Sequence, residues 1–130
     1  VIDSTDPVDF ATALFTDAFY ADVYNALSPE GIMLNQTENP FLDEWGVKDI
    51  YNNMRKIFPI VKSFTAPMLV YPGVFWTWGF SSKKYGPTDL NPERLASMSK
   101  IERDLKWYNT EWHKSAFSLS NFHKKTIGQE

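Results

Sequence analysis

The opening stretch of the chain, Val1-Ile2-Asp3-Ser4-Thr5-Asp6-Pro7, indicates its fold class. Val1 and Ile2 predict the end of a buried strand, and two aspartates follow that strand closely. In open α/β sheets, ligands and chemistry collect outside the carboxyl ends of the strands. Two fixed negative charges at such a place predict a site for a cation. The alternative is an ordinary turn, because Asp and Ser before Pro are favoured turn residues.

A helix, a strand and a second helix are predicted next. Thr16 is expected to cap a helix that runs to about Leu27. The apolar residues Ile32 to Leu34 predict a short buried strand. From about Asp43 to Phe58, apolar residues recur with the helical period, and Pro59 then ends the helix.

Two further strands are predicted at residues 60–65 and 74–82. Residues 66–73 contain two prolines and a glycine, so we expect a loop there that joins the two strands as antiparallel neighbours. Large aromatic residues occupy every second position of the later strand, which predicts core residues and not an exposed ligand platform. They are Trp76, Trp78 and Phe80.

Residues 91–130 are expected to form a helical segment that packs on the sheet. Asn91 has the character of a helix cap, and the helix after it is expected to end at about Lys106. Thr110 and Ser120 predict the caps of two shorter helices. The order of elements predicts an α/β fold that resembles the second half of a doubly wound sheet, with a terminal antiparallel strand pair and C-terminal helices.

The charges of the chain are distributed unevenly. Residues 1–47 contain nine acidic residues and neither Lys nor Arg, whereas residues 48–130 have a net charge of +6. An acidic site attracts cations and repels phosphates, which argues against nucleic-acid binding in the first region. Some of these acids could simply favour helix N-termini; they are Asp17, Asp22, Asp43 and Glu44.

Composition excludes several classes of site. Cysteine is absent, which rules out disulfides, thiolate chemistry and cysteine-based metal sites. No apolar stretch approaches the roughly 20 residues that a membrane helix needs. We therefore expect a soluble, cytoplasmic protein. The chain begins within a predicted element and without Met, so we expect it to be the carboxyl half of a larger enzyme.

Four sequence blocks resemble the carboxyl half of the spermidine synthases, the polyamine aminopropyltransferase family. They are Asp3-Ser-Thr-Asp-Pro7, Asn35-Gln-Thr-Glu38, Tyr71-Pro72-Gly73, and Leu105-Lys-Trp-Tyr-Asn109 with His113 and Ala116-Phe117 after it. The resemblance covers essentially the whole chain. It implies a Rossmann-like, methyltransferase-type doubly wound sheet. The glycine-rich nucleotide turn of the family is absent, because its usual place would precede Val1.

The sequence departs from the family pattern at a few positions. Asp9-Phe10-Ala11 stands where the family usually has Gly-Pro-Ala, beside the nucleoside. Tyr71-Pro72-Gly73-Val74 replaces the more common Tyr-Pro-Ser-Gly. The final Leu-Pro of the family is Leu119-Ser120 here. The first departure bears on nucleoside binding, and the last is expected to be harmless.

The resemblance implies transfer of an aminopropyl group from decarboxylated S-adenosylmethionine to putrescine, giving spermidine and methylthioadenosine. Asp3 would be the general base, because its position in the motif places it beside the attacking amine. Asp6 and Ser4 would bind the amine, together with Gln36, Glu38 and Tyr71. The donor is a co-substrate, and no metal or bound cofactor is needed because a sulfonium is already a good leaving group.

Phe10, Ala11 and Leu14 are expected to line the adenine or thioether side of the site. His113 and His123 are not expected to react: His113 should be a satisfied structural residue, and His123, between lysines, should lie at the surface. Cadaverine, agmatine or spermidine remain possible acceptors besides putrescine. The complete enzyme is expected to be a homodimer, as is common in the family.

Three alternatives compete with this interpretation. One is a methyltransferase of the same architecture, which has no need of two carboxylates set for a diamine. Another is an aromatic-rich binding module without chemistry, which requires exposed Trp side chains. The third is that residues 1–130 by themselves fold poorly or turn over nothing, because the nucleotide turn is missing and a sheet edge at Val1-Ile2 would be unpaired.

Overall fold

The computed structural model describes residues 1–6, 8–71, 73 and 75–129, with only the backbone for Trp45. Pro7 and Pro72, which belong to the motifs above, and Val74, the predicted start of the last strand, lie outside the described residues. The elements follow in chain order: a 3-10 helix (Asp9–Phe15), α1 (Asp17–Ala26), β1 (Ile32–Gln36), α2 (Glu44–Ile57), β2 (Ile60–Pro67), β3 (Phe75–Ser82), α3 (Pro92–Glu102), α4 (Thr110–Ala116) and α5 (Asn121–Thr126).

The three strands form one sheet in the order β1-β3-β2. β3 is antiparallel to both neighbours, with Trp78 facing Gln36 on one side and Phe64 on the other. β1 and β2 consequently run parallel to each other with β3 between them. The predicted antiparallel pairing of the last two strands is confirmed.

On its outer side, β1 pairs with the start of the chain through a single parallel bridge between Ile2 and Asn35. Ile2 N donates to the carbonyl of Leu34 at 2.7 Å, and Gln36 N donates to the carbonyl of Ile2 at 3.1 Å. The strand predicted at Val1-Ile2 is therefore one bridge in the described structure. Its parallel direction agrees with the predicted α/β arrangement, and the wider doubly wound sheet stays a prediction.

The loop predicted at residues 66–73 begins later than expected. β2 continues through Ala66 and Pro67, where Pro67 faces Phe75 of β3. Proline is tolerated there because β2 lies at the edge of the described sheet and Pro67 is its last residue. The predicted loop was therefore wrong at Ala66 and Pro67, which belong to β2.

The predicted helix starts are confirmed where a side chain accepts a backbone hydrogen bond. Thr16 Oγ1 accepts from Phe19 N at 3.2 Å, and Asp43 Oδ1 accepts from Gly46 N at 2.9 Å. Asn91 and Ser120 cap α3 and α5 in the same way. Such caps satisfy N–H groups that the first helical turn leaves without partners.

Other helix boundaries differ from the prediction. α4 is capped by Asn109, whose Oδ1 accepts from Trp112 N at 2.7 Å, while the Thr110 hydroxyl donates to the Glu102 carboxylate. α3 ends at Glu102, before the predicted Lys106. The 3-10 helix at residues 9–15 was not predicted, because its short apolar sequence has no helical repeat.

The core lies between α2 and one face of the sheet. Val47, Ile50, Tyr51 and Met54 of α2 are all buried. Gly79 of β3 lies close to α2: a Cβ there would clash with Asn35 Oδ1 and lie 3.0 Å from Met54 Cε. A larger residue at position 79 would therefore force these side chains to move.

The opposite face of the sheet is aromatic. Phe117, just after α4, lies 5.1 Å from the ring of Phe64 and 5.9 Å from that of Phe80. Trp76 and Phe80 are buried, as predicted, and Trp78 is partly buried. Among the described residues, no helix has both the length and the apolar character needed to cross a bilayer.

Candidate active site

The acidic opening of the chain and the end of β1 lie side by side. The parallel bridge of Ile2 to Asn35 aligns the two segments, so residues 3–6 and 36–38 lie at the same end of the sheet. It is the carboxyl end of both parallel segments, and α/β proteins bind ligands at the carboxyl ends of their strands. We call the side chains of Asp6, Gln36 and Glu38 the acidic edge.

Gln36 and Glu38 are buried without full hydrogen bonding. Their exposed fractions are 4% and 8%. The Oε1 atoms of both side chains have no hydrogen-bond partner among the described residues. A buried acceptor that stays unpaired costs about 1–3 kcal/mol, so two such oxygens side by side favour a ligand that donates hydrogen bonds.

The electrostatics of the acidic edge favour a cation. Burial raises the pKa of Glu38 to about 6, and the nearby carboxyl groups of Asp6 and Asp43 raise it further, against a hydrogen bond from Gln36 that lowers it. A carboxyl group whose pKa is raised by neighbouring carboxyl groups lacks a compensating positive charge. No group of three or more His, Cys, Asp or Glu side chains in the described part of the chain is arranged to hold a metal ion.

Asp3 and Ser4 differ in their surroundings from Asp6. The Asp3 side chain is exposed and makes no hydrogen bond or ion pair with another described residue, and Ser4 is partly buried. Asp6 is exposed but interacts with the Glu38 carboxyl. The structure thus brings Asp6, Gln36 and Glu38 together and leaves Asp3 open to solvent just before them.

Tyr71 lies in the loop between β2 and β3, close to the same edge. Its ring is 4.6 Å from the ring of Trp76, and its exposed fraction is 44%. Gly73 has φ +81° and lies so close to Asn39 that a Cβ would be 2.8 Å from Asn39 Nδ2. The loop therefore packs against the residue that follows Glu38, and Tyr71 presents an open ring nearby.

The residues expected on the nucleoside side occupy the 3-10 helix. Phe10 is 97% exposed, Ala11 is partly buried, and Leu14 packs against the core. Asp9 has φ +50°, in the left-handed region that favours glycine. Asp9 thus carries a side chain in a conformation that glycine adopts without strain.

The histidines have different surroundings. His113 Nε2 lies 2.7 Å from the carbonyl oxygen of Pro87, which agrees with a structural role. His123 is 1% exposed, so the prediction of a surface position was wrong. The short helix α5 turns His123 inward toward Ser63, at 3.0 Å, and its lysines outward. Burial lowers the pKa of His123 to about 4.

Sequence reasoning missed two residues near the acidic edge. Thr77 of β3 donates to the carbonyl of Glu38 at 2.7 Å. Asp43, treated as a helix cap, also acts on the charge of Glu38. The position of Thr77 between two tryptophans in a strand is a weak signal for a polar contact. No sequence pattern indicates that Asp43 acts on Glu38.

Comparison with known proteins agrees with this geometry. The family model described as the spermine/spermidine synthase domain matches residues 1–91. The chain is 36% identical to the polyamine aminopropyltransferase of Caldicellulosiruptor bescii over 127 residues, and 41% identical to that of Thermotoga petrophila over 130 residues. These matches cover 98% of this chain but only 44% and 43% of the two relatives.

Solved structures give the same result. A spermidine synthase in complex with the transition state analogue AdoDATO matches with a TM-score of 0.85 and 38% identity, over 96% of this chain and 42% of that one. The Thermotoga maritima spermidine synthase matches with a TM-score of 0.82 and 39% identity, over 96% of this chain and 41% of that one. The chain thus spans less than half of the proteins it matches, and it belongs to the spermine/spermidine synthase family.

Proposed function

We propose that this chain carries the amine-binding edge and the general base of an enzyme that moves an aminopropyl group from decarboxylated S-adenosylmethionine to putrescine. The products are spermidine and methylthioadenosine. The observation that carries the proposal is the acidic edge, with buried oxygens of Gln36 and Glu38 that have no partner among the described residues. An alkyl diammonium ion supplies both the donors and the positive charge that this edge needs.

The reaction is a direct displacement. The lone pair of a primary amine attacks the methylene carbon next to the sulfonium, and a C–N bond forms as the C–S bond breaks. The electrons of the C–S bond go to sulfur, which leaves as a neutral thioether. The ammonium form of the substrate has no lone pair, so it must lose one proton before the attack. The product nitrogen then keeps its two protons as a secondary ammonium.

The difficulty lies in the nucleophile. An alkyl ammonium has a pKa near that of Lys, about 10.4, so only a few molecules in ten thousand are neutral at pH 7. Freeing the lone pair costs roughly 4–5 kcal/mol at about 1.36 kcal/mol per pKa unit. Asp3 is the proposed base, because it is open to the solvent side of the edge and needs no other contact to be broken.

The remaining polar residues hold and orient the diamine. Asp6 and Glu38 bind an ammonium group by charge-assisted hydrogen bonds, and the amide oxygen of Gln36 accepts another. Ser4 lies between the two aspartates and adds a hydroxyl. Tyr71 offers its ring face to the methylene chain or to the cation.

The donor is proposed to lie on the side of the 3-10 helix. Phe10, Ala11 and Leu14 would contact its adenine or thioether part, and the high exposure of Phe10 leaves its ring free for such a contact. The neighbour bound to AdoDATO, a transition state analogue, supports small-molecule substrates for this fold. We further propose that residues 1–130 alone do not catalyse the transfer, because the chain spans less than half of its relatives.

The other candidate functions have less support. A methyltransferase gains nothing from a buried carboxyl group beside another acid. An aromatic binding module needs exposed Trp side chains. Trp76 in β3 is only 5% exposed, whereas Trp107 and Trp112, outside the sheet, are 67% and 41% exposed.

The test is a product analysis with the full-length protein. Incubation with decarboxylated S-adenosylmethionine and putrescine should give spermidine and methylthioadenosine by mass spectrometry, and ordinary S-adenosylmethionine should give neither. Asp3→Asn should remove most of the turnover and leave donor affinity nearly intact, with Asp22→Asn in α1 as the control. A wild-type rate in Asp3→Asn would exclude Asp3 as the base, and absence of spermidine would exclude the function.

A further inference from the structure

Glu38 has an unusual backbone conformation at the acidic edge. Its φ is +70°, in the left-handed region, which is strained for a residue other than glycine. Such a conformation persists only where the surrounding structure holds it in place. The contacts of the Glu38 backbone therefore determine where its carboxyl group lies.

Thr77 of β3 makes these contacts. Its backbone N and its Oγ1 both donate to the carbonyl of Glu38, at 3.1 and 2.7 Å. The carbonyl of Thr77 accepts from Thr37 N at 3.1 Å, so two residues of one segment face one residue of β3, as at a β-bulge. Bulges redirect a side chain from the regular alternation of a strand, and here the redirected side chain is that of Glu38.

The hydroxyl of Thr77 is itself fixed by a chain of buried hydroxyl groups. We call Thr37, Tyr51, Ser63 and Thr77 the hydroxyl cluster. Thr37 Oγ1 lies 2.9 Å from Thr77 Oγ1 and 3.0 Å from the Tyr51 hydroxyl, and Tyr51 donates to Ser63 Oγ at 2.7 Å. Ser63 in turn contacts His123 of α5. All are at most 1% exposed, so the network that fixes the Thr77 hydroxyl joins β3 to four other parts of the fold.

We infer that Thr77 is a positioning residue of the amine site, which keeps the Glu38 carboxyl beside Asp6 and Gln36 by holding the Glu38 carbonyl. The inference rests on the proposed function, because it gives Glu38 a role in amine binding. Without the hydroxyl of Thr77, the Glu38 peptide loses one of its two donors and can relax from the left-handed region. Its carboxyl group then moves away from Asp6 and Asp43, the charged groups that act on it.

The test compares three variants of the full-length protein. Thr77→Val removes the hydroxyl at nearly constant shape and should raise the KM for putrescine about tenfold, with the KM for the donor changed less than twofold. Thr77→Ser keeps the hydroxyl and should stay within twofold of wild type. Thr65→Val is the matched control, because Thr65 faces Thr77 across the strand pair and its hydroxyl makes no hydrogen bond among the described residues.

A second measurement does not depend on activity. In carboxyl ¹³C NMR spectra, with the Glu38 signal assigned through Glu38→Gln, the titration midpoint should be near pH 6 in wild type. In Thr77→Val it should fall toward the ordinary value of about 4.3. Tyr51→Phe removes a hydroxyl that contacts Thr37 and interacts with Thr77, but it leaves the Thr77 hydroxyl in place. It should shift both readouts in the same direction by less, and it serves if Thr77→Val does not fold.

The outcomes distinguish failure of the proposed function from failure of the positioning role of Thr77. If the wild-type protein transfers no aminopropyl group, the proposed function fails, while the NMR midpoints still decide whether Thr77 positions Glu38. An unchanged midpoint and KM in Thr77→Val would overturn the inference. It would also be overturned if Thr77→Ser were as impaired as Thr77→Val, since the hydroxyl would then not be the group that matters.

Discussion

The acidic edge and the hydroxyl cluster are both buried and polar, but they differ in how their groups are satisfied. Every hydroxyl of the cluster has a hydrogen-bond partner within the described structure. At the edge, Gln36 and Glu38 each keep an oxygen without one. Thr37 lies between these two residues in the chain and belongs to the other cluster. Adjacent residues thus differ in their hydrogen bonding. The Thr37 hydroxyl is bonded within the fold, whereas Gln36 and Glu38 each keep an acceptor for the proposed ligand.

The largest expected effect comes from removing the charge of the acidic edge. Glu38→Gln should raise the KM for putrescine roughly 30- to 150-fold, because a hydrogen bond to a charged group contributes about 2–3 kcal/mol.

Since Glu38 binds its proton more tightly in the native state than in the unfolded chain, its ionisation destabilises the fold as pH rises through about 6.

Glu38→Gln should therefore raise Tm at pH 7 and change it little at pH 4. Thermal unfolding at the two pH values checks this, with Glu44→Gln as a control at an exposed position of α2. A lower Tm for Glu38→Gln at pH 7 would show that the charge of Glu38 does not destabilise the fold. The acidic edge and the hydroxyl cluster would then not differ in the way described above.

His123 at the end of the hydroxyl cluster should have the opposite pH dependence. The unfolded chain protonates His123 near pH 6.5 but the native state only near pH 4, so the native state loses stability as pH falls between these values. The loss should be on the order of 2–3 kcal/mol. Urea unfolding at pH 6.5 and 4 measures it, and His123→Gln should reduce the decrease; an equally steep decrease in the variant would contradict the prediction.

Removing one hydroxyl from the cluster should reduce stability by a smaller amount. Tyr51→Phe deletes the group that donates to Ser63 and leaves Thr37 with one partner fewer, which should lower the free energy of unfolding by about 1–3 kcal/mol. Tyr24→Phe, where the hydroxyl makes no hydrogen bond among the described residues, should change it by less than about 0.5 kcal/mol. Equal values for the two variants would show that the cluster adds nothing to stability.

The smallest effect is expected at the other residue in the left-handed region. Among the described residues, no strand residue donates a hydrogen bond to the carbonyl of Asp9, whereas Thr77 donates to that of Glu38. Asp9→Gly should stabilise the protein by about 0.5–1 kcal/mol, because glycine adopts this conformation without strain. Urea unfolding checks the sign, and a loss of stability would show that the Asp9 side chain contributes more than its strain costs.

Much of the fold followed from local sequence signals. Thr16, Asp43, Asn91 and Ser120 identified helix starts because a capping side chain acts on residues directly after it. The alternating aromatic residues of β3 identified a buried strand because the alternation is a property of the strand itself. The acidic edge followed in part, since Asp6, Gln36 and Glu38 all lie just after segments predicted to be strands.

Other features depend on contacts between distant residues. His123, 60 residues from Ser63 in sequence, is buried only because α5 returns to the sheet. The positive φ of Glu38 depends on Thr77, which lies 39 residues away. Neither contact produces a periodic or local sequence pattern. The sequence therefore predicts neither the burial of His123 nor the contact between Thr77 and Glu38.

The central position of β3 has a consequence for how the molecule forms during synthesis. β1 and β2 leave the ribosome before β3, yet they cannot pair with each other, because the native sheet places them two strand spacings apart, about 10 Å. A nascent chain that stops before Phe75 leaves β2 without its partner and leaves open the edge of β1 that faces β3. We expect the sheet to close only after Ser82 has emerged, when the β2–β3 hairpin can form and dock on β1.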